Sequence, residues 1–243
     1  MTKTDIQYTH HNKQSEITMI SIVIDAAIIK SLSNVMSTKD VRYYLCGINV
    51  GMTSTGKVFM QATNGNIGGR VVLSDGAIVF DGASPIEGFD AIIPLQMVKD
   101  LSKVKGNVTL NFTKPTEGGV WFVQTTANGY NYSMQCIDGK FPDMGRVLPY
   151  TPIEGIVSAP MLVQPVLLLA FAKFADGILG RKNAGEHNLP LQQVPTGEDY
   201  NTNAAFWYAG LVGSDKTKKI QMDALKLIGL ESASGVVMPM RLV

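Results

Sequence analysis

Side chains that could carry out catalysis are scarce in this chain. Of three histidines, His10 and His11 sit in a polar amino-terminal stretch, which leaves His187 in the folded region. The two cysteines, Cys46 and Cys136, form no Cys-x-x-Cys pair and no Cys/His spacing of the kind that holds a metal. A nucleophile, base and orienting group therefore have almost nothing to be built from. The glycine-rich run GNIGG at 65–69 has the look of a phosphate loop, yet it lacks the GxxxxGK[ST] pattern and no helical run follows it. Asp75 and Asp81 are spaced so that they could pair, but loop aspartates are more often turn formers. The expectation is a protein that is not an enzyme and that uses no cofactor and no metal.

Lysines are the more informative polar residues, and they fall on helix-like segments. The β-branched run ITMISIVI (17–24) reads as a buried strand, with Asp25 placed to cap a helix after it. In residues 25–36 the apolar Ile28, Ile29, Leu32, Val35 and Met36 recur on one helical face and leave Lys30 on the other. A second helix is expected in PLQMVKDLSKVKG from Pro94, with Leu95, Val98 and Leu101 inward and Lys99 and Lys103 one turn apart outside. Between the helices VRYYLCGINV, KVFMQAT, RVVL and AIVF read as an antiparallel meander. Val108, Leu110 and Phe112 then alternate, and Asn128-Gly129 marks a hairpin. The order is α+β, with no βαβ alternation.

Gly and Pro in GKFPDMGRVLPYTP (139–152) mark a linker, so one unit covers 17–149 and another 150–243, behind a flexible tail at 1–16. The second unit opens on an apolar helix at 160–175, which ends near Lys173. A long polar loop at 183–204 follows, with room for one short strand. AFWYAGLV reads as a strand, and DALKLIGLES is compatible with either helix or strand. The closing VVMPMRLV is broken by Pro239, which predicts an edge or rim strand. No internal repeat is visible by residue identity.

Bulk composition agrees with a globular chain: 243 residues, 45% hydrophobic and 17% charged. A net charge of +1 excludes nucleic-acid binding by general basicity, so any such contact is local. The start of the chain lacks the apolar core of a secretion signal, and the apolar stretch 160–172 falls short of the roughly 20 residues of a membrane span. The cytoplasm is the expected location, with no membrane partner.

Three collinear stretches carry a resemblance to a known family: DVRYYLCG (40–47) with ATNGN (62–66), DGKFPDMGRVLP (138–149) and VVMPMRL (236–242). They resemble the bacterial β sliding clamp of DNA polymerase III, its middle and last domains, with the family's first domain unmatched and the last domain shortened. The resemblance implies two clamp-like domains, with antiparallel sheets outside and helices lining the inner face of a ring. Six such domains close a ring, so two per chain imply a homotrimer, as in compact clamps such as those of phages.

The resemblance also implies a function: a processivity factor that encircles duplex DNA regardless of sequence, is placed there by a clamp loader and tethers a replicative polymerase. Lysines facing the DNA would be Lys30, Lys39, Lys99, Lys103 and Lys173. A pocket for partner peptides would be formed by Leu45, Thr63, Gly65, Asn66, Pro142, Arg146, Val147, Val236, Met238, Pro239, Met240, Arg241 and Leu242. The chain departs from the family after the turn, where a basic residue and a leucine are replaced by Ile67 and Gly68. A clamp-like monomeric polymerase accessory, or interaction module, that closes no ring is the alternative.

Overall fold

The computed structural model describes residues 18–81, 88–114, 119–127, 129–146, 148, 164–181, 191–193, 205–210 and 215–238. Strand β1 (Thr18–Asp25) runs straight into helix α1 (Ala26–Leu32), where the Asp25 carboxylate accepts the Ala27 N–H at 2.8 Å. All five apolar residues expected on the helix's inner face are buried. The helix nevertheless stops at Leu32 and not at Met36. Ser33 Oγ and Asn34 Nδ2 donate to the carbonyls of Lys30 and Ser31, a local alternative to further helix.

Strands β2 (Gly47–Met52), β3 (Val58–Thr63) and β4 (Ile67–Leu73) form a meander, with β2 starting at Gly47 because Tyr43–Leu45 make a 3-10 turn, and β5 (Ile78–Asp81) leaves it and pairs with β1 in another sheet. Strand β6 (Asp90–Pro94) leads into helix α2 (Leu95–Leu101), followed by β7 (Asn107–Lys114), β8 (Phe122–Ala127) and β9 (Tyr130–Gln135). The hairpin between β8 and β9 turns through Gly129 at φ 78°.

Two sheets result, ordered β5-β1-β7-β8-β9 and β10-β11-β12-β4-β3-β2-β6. Their order exposes a repeat that residue identity hides. β1-α1-β2-β3-β4 and β6-α2-β7-β8-β9 share one element sequence, and the first strand of each pairs with the second strand of the other. Each helix follows its strand without a loop, and both are seven residues long.

The second half adds helix α3 (Pro165–Ile178), the two-residue β10 (Gln192–Gln193), β11 (Ala205–Tyr208), helix α4 (Asp215–Leu227) and β12 (Leu230–Val237). Helix α3 begins at Pro165 and not at residue 160. Proline lacks the N–H an interior position needs and suits the first helical position, where that N–H has no partner anyway. The ambiguous 223–232 segment is both structures, helix to Leu227 and strand from Leu230, divided at Gly229 with φ 72°.

Of the run 236–243, expected as an edge or rim strand, Val236 and Val237 lie instead in an interior strand, β12. β12 is not an edge, because it lies between β11 and β4 and pairs with both. It ends at Val237. Pro239–Val243 lie outside the described residues.

One face of the seven-stranded sheet carries the helices. Gly69 on β4 and Gly235 on β12 are register partners, and over them lie the buried rings of Phe174 and Phe171 from α3, with Trp207 of β11 alongside. Met97, Val98 and Leu101 of α2 and Leu225 of α4 enter the same core. Helix α1 touches both α2 and α3, and α4 lies against β12. No helix of the described residues is long and apolar enough to cross a membrane.

Candidate functional site

Strand alternation sends each neighbour of a core residue to the opposite face. Ile93 joins the helix core and Ile92 does not; Val237 joins it and Val236 does not. On that far face lies a separate apolar cluster of Leu45, Ile92, Phe141, Met144, Leu148, Tyr208 and Val236, with Tyr44, Ile137 and Met238 against it. The segment after β9 is laid over the sheet to make it. Ile137 N–H donates to Ile92 O at 2.9 Å, a 3-10 turn covers Met144–Arg146, and Leu148 N–H donates to Met144 O at 2.7 Å.

The turn joining β3 to β4 borders this cluster. Thr63 Oγ1 donates to Ile67 O at 2.7 Å and accepts the Gly65 N–H at 3.0 Å, while Asn64 Oδ1 accepts the N–H groups of Asn66 and Ile67. Gly65 sits at φ 90°, and a Cβ there would come within 3.0 Å of the Arg42 guanidinium. Met238 N–H donates to Asn66 O at 2.8 Å, which ties the end of β12 to the turn.

Of the residues expected to form a pocket, Leu45, Val236 and Met238 meet in the cluster. Thr63, Gly65 and Asn66 form the adjoining turn, and Pro142 and Arg146 are exposed on the overlying segment. Val147, Pro239, Met240, Arg241 and Leu242 lie outside the described residues. Sequence reasoning missed Ile92, Phe141, Met144, Leu148 and Tyr208. The signal available was the unbroken apolar run in β6, which implies burial on both faces of that strand. Burial pushes the Tyr208 hydroxyl up to about 12.

The departure at Gly68 has a physical counterpart. A Cβ on Gly68 would lie 2.5 Å from Met144 Cε, so the methionine fills the space that a side chain at position 68 would take.

The expected DNA-facing lysines divide by location. Lys30, Lys99 and Lys173 are exposed on α1, α2 and α3, which form a row over the sheet. Lys103 follows α2 and approaches Asp100 at 3.3 Å. Hydrogen bonds from Gln96 and Lys103 hold the Asp100 carboxyl below its ordinary range. Lys39 is exposed on the loop after α1, next to the Asp40–Arg42 pair. Helix α4 carries four further lysines, Lys216, Lys218, Lys219 and Lys226.

No protein-family model matches the chain, and no curated protein matches it. Solved structures similar to it include a DNA polymerase sliding clamp from Pseudomonas aeruginosa with ligand, at 18% identity and TM-score 0.46, covering 92% of this chain and 67% of that one. A DnaN sliding clamp (DNA polymerase III subunit beta) from Bartonella birtlesii bound to griselimycin overlaps at 17% identity and TM-score 0.45, covering 91% and 66%. The Helicobacter pylori beta clamp bound to a DNA ligase peptide gives 14% identity and TM-score 0.48, covering 92% and 66%. This chain thus spans about two thirds of the length of these clamps.

Proposed function

We propose that the chain is a non-enzymatic DNA sliding clamp, which tethers a replicative polymerase by encircling duplex DNA as a ring of three copies. The observation that carries the reading is the meeting of Leu45, Val236 and Met238. Leu45 is far from Val236 and Met238 along the chain, and the sequence resemblance names them together as pocket residues. The row of α1, α2 and α3 with exposed lysines supports it from the other face of the sheet.

Each face then has its task. Non-specific phosphate contacts hold with dissociation constants of roughly 10⁻⁴ to 10⁻⁶ M, too weak to retain a polymerase but suited to sliding. Retention comes from topology, since a closed ring leaves only by opening an interface. The apolar cluster offers the polymerase and the clamp loader a buried seat for short extended segments, with Met144 and Met238 able to repack around different side chains. The two units, 17–149 and 150–243, are the middle-like and last-like clamp domains in this scheme.

A specific observation favours a second reading, a clamp-like accessory that closes no ring. The described strands of the second unit all extend the first unit's sheet, and the outermost, β10, has two residues. An edge that short presents few backbone groups to another copy.

Sedimentation mass together with primer extension separates the readings. A particle of three chains that stimulates synthesis on circular templates, and on linear ones only with blocked ends, is the expected result. A single-chain particle that stimulates equally on open linear templates would establish the accessory instead. Deleting Met238–Val243 should abolish stimulation and leave the number of chains per particle unchanged.

A further inference from the structure

Beside the apolar cluster, on the same face of the sheet, lies a cleft of about 360 Å³. Its floor is a hydrogen-bonded chain of polar side chains from four strands, buried on three of them and reaching the exposed Asp90 on the fourth. Arg70 Nε donates to Gln61 Oε1 at 2.9 Å, Gln61 Nε2 donates to Asn49 Oδ1 at 2.8 Å, and Asn49 Nδ2 donates to the Asp90 carboxylate. Arg70, Gln61 and Asn49 are each at most 4% exposed, and the Arg70 guanidinium also lies over the Phe59 ring, 5.1 Å from its centroid. Burying three such groups costs free energy that a bare apolar face would avoid, and the chain of hydrogen bonds offsets that cost by holding each group in one position.

The cleft and the apolar cluster share a wall. Phe141 belongs to the cluster and lines the cleft, and the next two residues, Pro142 and Asp143, continue that lining. Arg70 is engaged by Gln61 and Phe59, whereas the carboxylates of Asp90 and Asp143 stand exposed at the rim. Asp143 Oδ1 accepts the Gly145 N–H at 2.9 Å, and each carboxylate has acceptor sites beyond the bond it makes. The volume sits at the small end of the roughly 300 to 1,000 Å³ that ligand pockets occupy, which fits one long side chain better than a cofactor.

The geometry points to a second compartment of the partner-docking site: the cleft seats a lysine or arginine of a docked peptide whose apolar anchors occupy the neighbouring cluster. The aliphatic stem of such a side chain would run along Pro142 and Phe141, and its charged head would reach Asp90 and Asp143. This rests on the apolar cluster being a peptide seat, as proposed above.

The probes are synthetic peptides containing two adjacent large apolar residues and either lysine, alanine or glutamate at one to four residues on each side, with binding read by fluorescence polarisation. A lysine at one of these positions should tighten binding about 1.5- to fivefold over alanine, the range an exposed ion pair supplies. Asp90→Asn and Asp143→Asn should each reduce that advantage without changing the affinity for the alanine peptide, since asparagine keeps the acceptor oxygen. Equal binding of lysine and alanine peptides, or tighter binding of glutamate peptides, would overturn the assignment. Should no peptide bind, the cluster reading fails, and the cleft is judged by millimolar titration of N-acetyl-lysine amide. Shifts of the Asn49 and Gln61 side-chain amide resonances, absent with N-acetyl-glutamate amide, would uphold it, and the lack of such shifts would sink it.

Discussion

Gly68 and Gly69 are adjacent on β4 and face opposite ways, which makes them a controlled pair. A Cβ on Gly69 would lie 2.3 Å from Cζ of Phe174, a ring fully buried against Trp207 and Phe171. A fully buried ring has little room to move aside, so the contact carries an overpacking cost of about 1–3 kcal/mol. A Cβ on Gly68 meets the end of Met144 instead, 2.5 Å from Cε, and a thioether swings aside cheaply. Neither glycine has a positive φ, so alanine also gains about 0.4–1 kcal/mol from a less flexible unfolded chain. Gly68→Ala should therefore be within about 1 kcal/mol of the parent, and Gly69→Ala should lose about 1.3 kcal/mol. In a chain of this size that is a fall in Tm of about 3–5 °C. Urea unfolding of the two variants, with Gly69→Ala/Phe174→Leu as the relieving partner, is the assay. If Gly68→Ala proves as damaging as Gly69→Ala, or if the double variant is simply additive, the packing account of α3 is wrong.

Other expectations follow from single groups. The Arg42 guanidinium, hydrogen-bonded to Asp40, lowers that carboxyl to about 2. Because the folded value is depressed, the stabilisation is present above the ordinary carboxylate range and is lost as pH falls through about 2. An NMR titration should find the Asp40 midpoint there in the parent and higher in Arg42→Gln. Burial pushes the Cys136 thiol up to about 12, whereas Cys46 is half-buried, so a thiol reagent at pH 8 should label Cys46 first and Cys136 only on unfolding. Equal labelling of both in the native chain would contradict the burial. Replacing Lys99 and Lys173 by glutamine should flatten the salt dependence of binding to a short duplex by about 1.8 in log–log slope, two phosphate contacts at about 0.9 each. An unchanged slope in fluorescence anisotropy would place those lysines away from DNA.

Local order was legible wherever one residue decided it. Asp25 capped α1, alternation at Val108, Leu110 and Phe112 gave β7, and the turn at 62–66 formed as its Thr, Asn and Gly require. Errors arose where side chains competed with the backbone or where a segment had to change sheets. Ser33 and Asn34 ended α1 early, β5 crossed to the other sheet, and β12 became an interior strand. Sequence alone determined which residues are apolar, which turns are possible and, through three collinear motifs, which residues to seek in one pocket. Only the tertiary structure decided that Ile92, Phe141, Met144, Leu148 and Tyr208 complete that cluster, and that Arg70, Gln61, Asn49 and Asp90 form one hydrogen-bonded chain. The physical reason is that strand pairing is non-local. A residue's own neighbours set the face it points to, but the register of distant strands sets what it meets there.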